Sequence, residues 1–306
     1  MAKALDYLNA ADLAAVRQRS DFWGLIYVVH AWALILGCMA VFAIWPNPLT
    51  YLAALVLIGS RQLGLSVLMH DGAHGILFKT ARANRIFAQF FCAAPLFFNA
   101  WSYRKYHLVH HANTQQQNDP DIGLSAPFPV TKASFARKVL RDLTGITGAT
   151  FRYGQLRAAF GMRDLSIGQR LSRVWDEYWP ALAFNAAFFC ALAALGQAHL
   201  YLLLWLIPLL TWFQLVLRIR NIAEHACTPD KNDPLRNTRT TLAGPIAALL
   251  VAPYNVNFHI EHHLMMYIPC YNLRRTHDLL TRNGWGEKME VCRSYLDVLR
   301  IATSKP

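Results

Sequence analysis

The chain has 306 residues, of which 55% are hydrophobic and 16% charged, well below the roughly 25% charge of an ordinary soluble domain. Thirty Lys and Arg against eighteen Asp and Glu leave a formal net charge of +12. The long apolar runs exclude a disordered chain and a collagen-like fibre. The basic residues are scattered instead of gathered into one stripe, so nucleic acid is not an expected partner.

A bilayer core of about 30 Å takes about 20 apolar residues at helical rise. Residues 25–45 meet this without a single Lys, Arg, Asp or Glu, and they lack the flanks of a cleaved signal peptide. Pro46, Asn47 and Pro48 break the run, and residues 49–69 give a second span, interrupted by Arg61 and Gln62. An ionisable group inside a span calls for a partner, and Arg61 is expected to pack against a neighbouring helix. Residues 86–100, broken by Gln89, Pro95 and Asn99, and residues 245–253 are too broken or short to span and are expected in the interface or packed under a cytoplasmic cap. Residues 132–175 mix Arg with Phe, Leu and Ile at helical spacing, as amphipathic surface helices do. Residues 178–195 and 199–217 form a third and a fourth span, joined only by Gly196, Gln197 and Ala198.

Lys and Arg fix the orientation. The joins at 46–48 and 196–198 hold none, whereas residues 101–177 hold eleven and residues 218–306 hold twelve. The positive-inside rule places both open ends of these hairpins, and both termini, in the cytoplasm, and the basic surface against anionic headgroups. The expected fold is an all-α integral membrane protein, one domain over residues 1–306. Four transmembrane helices form two hairpins, and segments 70–177 and 218–306 make a cytoplasmic helical cap.

None of the six cysteines shows C-x-x-C spacing, so they are expected as small buried hydrophobes, not as disulfides or thiolate ligands. The twelve histidines carry the signal. Nine fall into four groups: His70 and His74 in H-D-G-A-H; His107, His110 and His111 in H-L-V-H-H; His225 in N-I-A-E-H; and His259, His262 and His263 in H-I-E-H-H. Spacings of three and four put imidazoles on one helix face, which is how a protein offers nitrogen ligands to a transition metal. Asn221 shares the face of His225. All four groups fall on the cytoplasmic side, so they can converge on a metal site in the cap. Of the remaining three, His30 and His199 are expected as satisfied core residues, and His277 as a surface residue or a support of the site.

Nine imidazoles exceed one tetrahedral zinc, but two metals with four or five nitrogens each would use them. The absence of clustered thiolates argues against copper(I) and iron–sulfur chemistry, and one haem takes at most two histidines.

The set H-D-G-A-H, H-x-x-H-H and H-x-x-H-H resembles the membrane-bound fatty acid desaturase and hydroxylase superfamily. H110-H-A-N-T…N-D-P-D121 after the second box and N257-x-H259-x-x-H-H-L…I-P-x-Y-N-L around the third add to it. The resemblance covers residues 25 to 280. It implies two iron ions held by the nine histidines, with Asn221 touching one through water, dioxygen as co-substrate and a long-chain lipid as substrate. Oxidising an unactivated methylene needs a strong metal-based oxidant, and a site at the bilayer surface lets a chain enter without crossing water.

Asp71, Asp119, Asp121, Glu224 and Glu261 lie beside these histidines and are candidates to orient an imidazole N–H. The sequence carries no H-P-G-G signature of a fused cytochrome b5 and no ferredoxin-type cysteine run. Electrons are therefore expected from a separate ferredoxin or cytochrome b5-type donor with its reductase. The leading reading is acyl-chain desaturation. The alternatives are a hydroxylase or ketolase of a lipid, carotenoid or smaller apolar substrate, and, outside the enzymes, a metal transporter or haem electron carrier. A transporter would place its ligands near the bilayer midplane.

Overall fold

The computed structural model describes residues 4–161 and 164–305 and is built almost wholly of helices. Helix α1 (Ala10–Val16) is capped by Asn9, whose side chain accepts the Asp12 N–H at 2.9 Å. Helix α2 (Asp21–Ile44) starts on a Ser20 cap, and a short turn leads into α3 (Pro48–His74). That turn is built by Asn47, which accepts the N–H groups of Leu49 and Thr50 while Thr50 reaches back to the Asn47 N–H, with Pro48 in the first turn of the helix. Gly75, at φ 76°, ends α3 in the left-handed conformation.

Helix α4 (Ala81–Ile86) runs into a π-helical segment, Phe87–Ala93, and then a 3-10 turn, Ala94–Leu96. This broken stretch packs against α3 instead of leaving the molecule. Helix α5 (Ala100–Asn113) is capped by Asn99, and α6 (Ile122–Ser125) follows after a loop. Helices α7 (Lys132–Leu143) and α8 (Ile146–Phe160) realise the amphipathic segment, with Leu140, Phe151, Tyr153 and Leu156 exposed; within it, residues 162 and 163 lie outside the described residues. Helix α9 (Ile167–Ala194) opens on a Ser166–Gln169 capping box.

A π-helical turn, Tyr201–Leu206, leads through α10 (Ile207–Leu210) into α11 (Trp212–His225). Strands β1 (Thr240–Thr241) and β2 (Val291–Cys292) pair in parallel, Thr240 opposite Val291. Between them come α12 (Pro245–Leu250), a 3-10 turn at Pro253–Asn255, α13 (His259–Leu264) and α14 (Cys270–Arg282), and α15 (Tyr295–Ala302) closes the chain.

Among the described residues, three helical stretches are long and apolar enough to cross a membrane: Asp21–Ile44, Pro48–His74 and Tyr201–His225. They coincide with three of the four expected spans. The fourth, at 178–195, falls in the C-terminal part of α9, where Pro180 and Asn185 dilute the apolar run. Asn185 is buried there, donating to the Ala94 carbonyl at 3.0 Å and accepting from Tyr201 Oη at 2.9 Å and Trp205 Nε1 at 3.1 Å. α3 is the most enclosed of the long helices, with Ile58 to Leu65 continuously buried. The exposed face of α2 is apolar, with Phe22, Trp23, Leu25, Val29 and Ile44 at its surface.

Arg61 is buried and donates to the Leu249 carbonyl at the end of α12, with its guanidinium 5.6 Å from the Tyr254 ring. It thus packs on a neighbouring element. His30 and His199 differ from expectation: both are exposed, and His30 meets Tyr254 Oη through Nδ1 at 3.0 Å. A helix that presents its face outward has no core for a histidine to enter. All six cysteines are free. Cys92, Cys270 and Cys292 are buried as expected, but Cys190 is exposed on α9, and Cys38 and Cys227 are half-buried.

Candidate metal centre

The four histidine groups converge. α3 brings His70 and His74 at its C-terminal end, α11 brings His225 at its own, and α5 and α13 lie across them with the two H-x-x-H-H sets. The nitrogens of His70, His74, His107, His111 and His262 all lie within 4.8 Å of one another. A second set shares His225, which groups with His110 and His263 on one side and with Glu224 and His259 on the other. The nine predicted histidines therefore separate into five and four. The sets adjoin, with the rings of His111 and His263 4.3 Å apart.

Helix periodicity explains the division. In α5, His107 and His111 are one turn apart and face the first set, while His110, about 60° to one side of His107, turns to the second. In α13, His259 and His263 face the second set and His262 the first. Gly72 lets α3 come this close to its neighbour: a Cβ there would sit 2.4 Å from the Cβ of Ala88. Gly72→Ala is expected to cost about 1–3 kcal/mol by overpacking and to lower metal content, read by thermal unfolding and metal analysis of the purified protein.

The donor atoms fit bound cations. His107 Nε2 and His262 Nε2 both approach His111 Nε2, at 2.9 and 3.0 Å, and His259 Nε2 approaches His225 Nε2 at 2.9 Å. One imidazole N–H cannot serve two such contacts, whereas several lone pairs facing one cation account for them. Among the described residues the buried His70 Nε2, His74 Nε2, His225 Nδ1 and His263 Nε2 have no hydrogen-bond partner, a costly state for a polar group unless a metal satisfies it. Burial, reinforced by neighbouring imidazoles, holds His107, His259, His262 and His263 well below the ordinary histidine range and pushes His111 down to about 2. Neutral imidazoles are the form that binds a transition metal.

The carboxylates around the cluster have distinct places. His70 Nδ1 lies 3.1 Å from Asp71 Oδ1, and the other Asp71 oxygen accepts the Cys270 N–H at 2.6 Å, tying α3 to α14. His110 Nδ1 donates to Asp119 at 2.8 Å, which also accepts the N–H groups of Gln115 and Asp121, both at 2.9 Å. Burial alone would raise Asp119, but the His110 hydrogen bond and charge, with those N–H groups, hold it below the usual carboxylate range. Asp121 accepts from Tyr106 Oη and lies 3.7 Å from His110. Glu224 pairs with Arg220 at 2.7 Å and lies 3.6 Å from His259 Nδ1.

Glu261 departs from expectation. Among the described residues its hydrogen bonds run to Thr240 Oγ1 and to His277 Nδ1, both at 2.6 Å, and not to one of the nine histidines. On a short helix, Glu261 faces away from its histidine neighbours, toward β1 and α14. Burial tends to lower His277, yet the hydrogen bond and charge of Glu261 carry it above the ordinary value. Asn221 lines a cavity of about 40 Å3 together with Tyr103, Arg220, His107, His225 and His259, large enough for a water molecule and in contact with both histidine sets.

Several supporting residues escaped sequence reasoning. Tyr103 stacks on His107, centroids 5.0 Å apart at 15°; its position four residues earlier on α5 was the available signal. Thr114 Oγ1 lies 3.2 Å from His263 Nδ1. Arg239, buried, donates to the carbonyls of Ala226 at 2.8 Å and Cys227 at 2.9 Å, fixing the chain just beyond His225. No local pattern marks either of these.

Comparison with known proteins gives the family. The chain is 31% identical over 269 residues to a dihydrorhizobitoxine desaturase of Bradyrhizobium elkanii, covering 82% of this chain and 73% of the relative. It is 24% identical over 290 residues to an sn-1 oleoyl-lipid 12-desaturase of Picosynechococcus, covering 89% and 80%. It is 26% identical over 259 residues to a beta-carotene ketolase of Paracoccus, covering 80% and 89%. The fatty acid desaturase family profile matches residues 43–289, histidine groups included, and the chain is an oxidoreductase that belongs to that family.

Proposed function

We propose that this protein is a membrane-bound di-iron oxidase that uses dioxygen to desaturate a lipid acyl chain. The observation that carries the reading is the division of nine buried or half-buried imidazoles into a set of five and an adjoining set of four, beside the ends of long apolar helices. His70, His74, His107, His111 and His262 would hold one iron. His110, His225, His259 and His263 would hold the other, with Asn221 reaching it through water. Two irons there would supply the strong one-electron oxidation that an unactivated C–H bond requires.

The chain's own residues provide the rest. Asp71 and Asp119 accept hydrogen bonds from the Nδ1–H groups of His70 and His110 and so fix which ring nitrogen would face a metal. Glu224, neutralised by Arg220, stands beside His259, while Asp121 braces α5 from Tyr106. Glu261 acts through His277 to hold α13 against α14. Asn221→Ala is expected to lower turnover by about 10–100-fold, the usual cost of an outer contact to a metal, while leaving total iron within about a tenth of wild type. Single-turnover rates and iron analysis on one preparation check both halves of that expectation.

In the bilayer, α2, α3, the C-terminal part of α9 and the stretch Tyr201–His225 would form two hairpins in one domain spanning residues 1–306. The clustering of Lys and Arg in residues 101–177 and 218–306 supports cytoplasmic termini and a cytoplasmic metal site. The chemistry calls for an external electron donor, a ferredoxin or cytochrome b5-type protein with its reductase. The relatives named for oleoyl-lipid desaturation support a lipid substrate, and the one named for beta-carotene favours a ketolase or hydroxylase as the second reading.

Mass spectrometry of total lipids from cells expressing wild type or His262→Ala, with a donor system co-expressed, tests the choice. A product found only with wild type and lighter by two hydrogens supports desaturation. A product heavier by one oxygen establishes hydroxylation in its place.

A further inference from the structure

A cavity of about 670 Å3 lies outside the metal centre, well inside the range of about 300–1,000 Å3 typical of small-molecule sites. One wall comes from the first turns of α2, with Ile26, Tyr27 and His30, and another from α12 and the chain after it, with Ala248, Ala252 and Tyr254. Its far end is charged, formed by Arg274, His277 and Asp278 of α14 with Asn257 beside them.

Two features make this more than a surface hollow. The charges are of both signs, and among the described residues neither Arg274 nor Asp278 has a hydrogen bond or ion pair of its own. His277 is held through Nδ1 by Glu261 at 2.6 Å, which leaves Nε2 for a ligand, and its ring packs 5.2 Å from Phe258, next to His259. The outer wall is apolar and outward-facing: Ile246 of α12 is 75% exposed, and none of that helix is buried. A polar end beside an outward-facing apolar helix suits a molecule lying at a bilayer surface.

We propose that this cavity seats the head of a zwitterionic amphiphile. Its acidic oxygens sit at Arg274 and His277, its ammonium group at Asp278, and the first part of its apolar chain runs along Ile26, Tyr27, Ala248 and Tyr254. Asp278 opposes a head that is only anionic, and Arg274 opposes one that is only cationic, so the pair selects a head carrying both charges. Two molecule types share that chemistry, a long-chain α-amino acid and an ethanolamine phospholipid. The inference rests on the proposed membrane setting, but not on the redox reaction: it concerns binding, which needs no turnover.

The test is equilibrium binding of tritiated probes to the full chain in maltoside micelles, with wild type and the turnover-deficient His262→Ala measured alike. The probes are 2-aminohexadecanoic acid, lysophosphatidylethanolamine, palmitate and hexadecylamine. At least one zwitterion is expected to bind about tenfold or more tightly than palmitate and hexadecylamine, the stronger one naming the source. Arg274→Gln and Asp278→Asn are each expected to weaken it by about tenfold, the scale of one charge-assisted contact. Both side chains are exposed, so neither change threatens folding. Equal binding of all four probes, or zwitterion binding unmoved by either substitution, overturns the proposal. Loss in only one variant reduces the site to one for a singly charged head, and overturns it too. Retained binding in His262→Ala separates this result from any failure of the oxidase reading.

Discussion

Replacing His262 with alanine is expected to abolish turnover and to remove one of two metals while the protein still inserts and folds. His262 is buried in the five-nitrogen set, with Nε2 3.0 Å from His111 Nε2 and its ring 4.4 Å from that of His70. Removing it leaves an incomplete set and opens a void where the ring stood. Loss of an outer partner alone costs about 10–100-fold in metal affinity, so loss of a ligand should exceed that. The helix that carries it, α13, lies outside the three long apolar helices, so insertion has no reason to fail. Metal analysis beside an activity assay gives the answer. Full metal content with substantial turnover would show that His262 holds nothing.

Asp119→Ala is the second large effect. One carboxylate anchors three donors, His110 Nδ1 and the N–H groups of Gln115 and Asp121, in a buried position. Each donor left without an acceptor costs about 1–3 kcal/mol, so the loop between α5 and α6 is expected to loosen and the four-nitrogen set to lose its metal. Asp119→Asn keeps the shape. Its oxygen can still accept from His110 and Asp121, but its NH2 group meets the Gln115 N–H donor to donor. A milder loss is therefore expected than with alanine. Thermal unfolding of both variants, with and without chelator, ranks them; alanine no worse than asparagine would refute the anchoring role.

What could be read from the sequence was what is local. Histidines three and four apart must share a helix face, and that face is what reaches the metal centre in α3, α5 and α13. Positions 25–45 carry their apolarity in an unbroken run and 49–69 in one interrupted only at Arg61 and Gln62, so α2 and α3 emerge at nearly the expected limits. The partners of charged residues were less legible because they come from distant chain. Arg61 finds a carbonyl at Leu249, and Glu261 finds His277 across the turn into α14. Adjacency to a ligand was the reason to expect Glu261 to hold a cluster histidine, but neighbours on a helix diverge by about 100°, so it points elsewhere. The second histidine set was also hidden: nothing in H-L-V-H-H says that its middle histidine joins a different set from the other two.

That shared use of α5 and α13 has a consequence for how the centre fills. Each of these helices gives histidines to both sets, so neither set can order its nitrogens without ordering three histidines of the other. The first ion to arrive bears the entropy of fixing two helices, and the second finds them fixed. Loading should then be cooperative, with the singly occupied form scarce at equilibrium. On the proposed di-iron reading, a cell short of iron would accumulate a mixture of empty and full enzyme, and its output would fall by the number of working molecules, not by the quality of each.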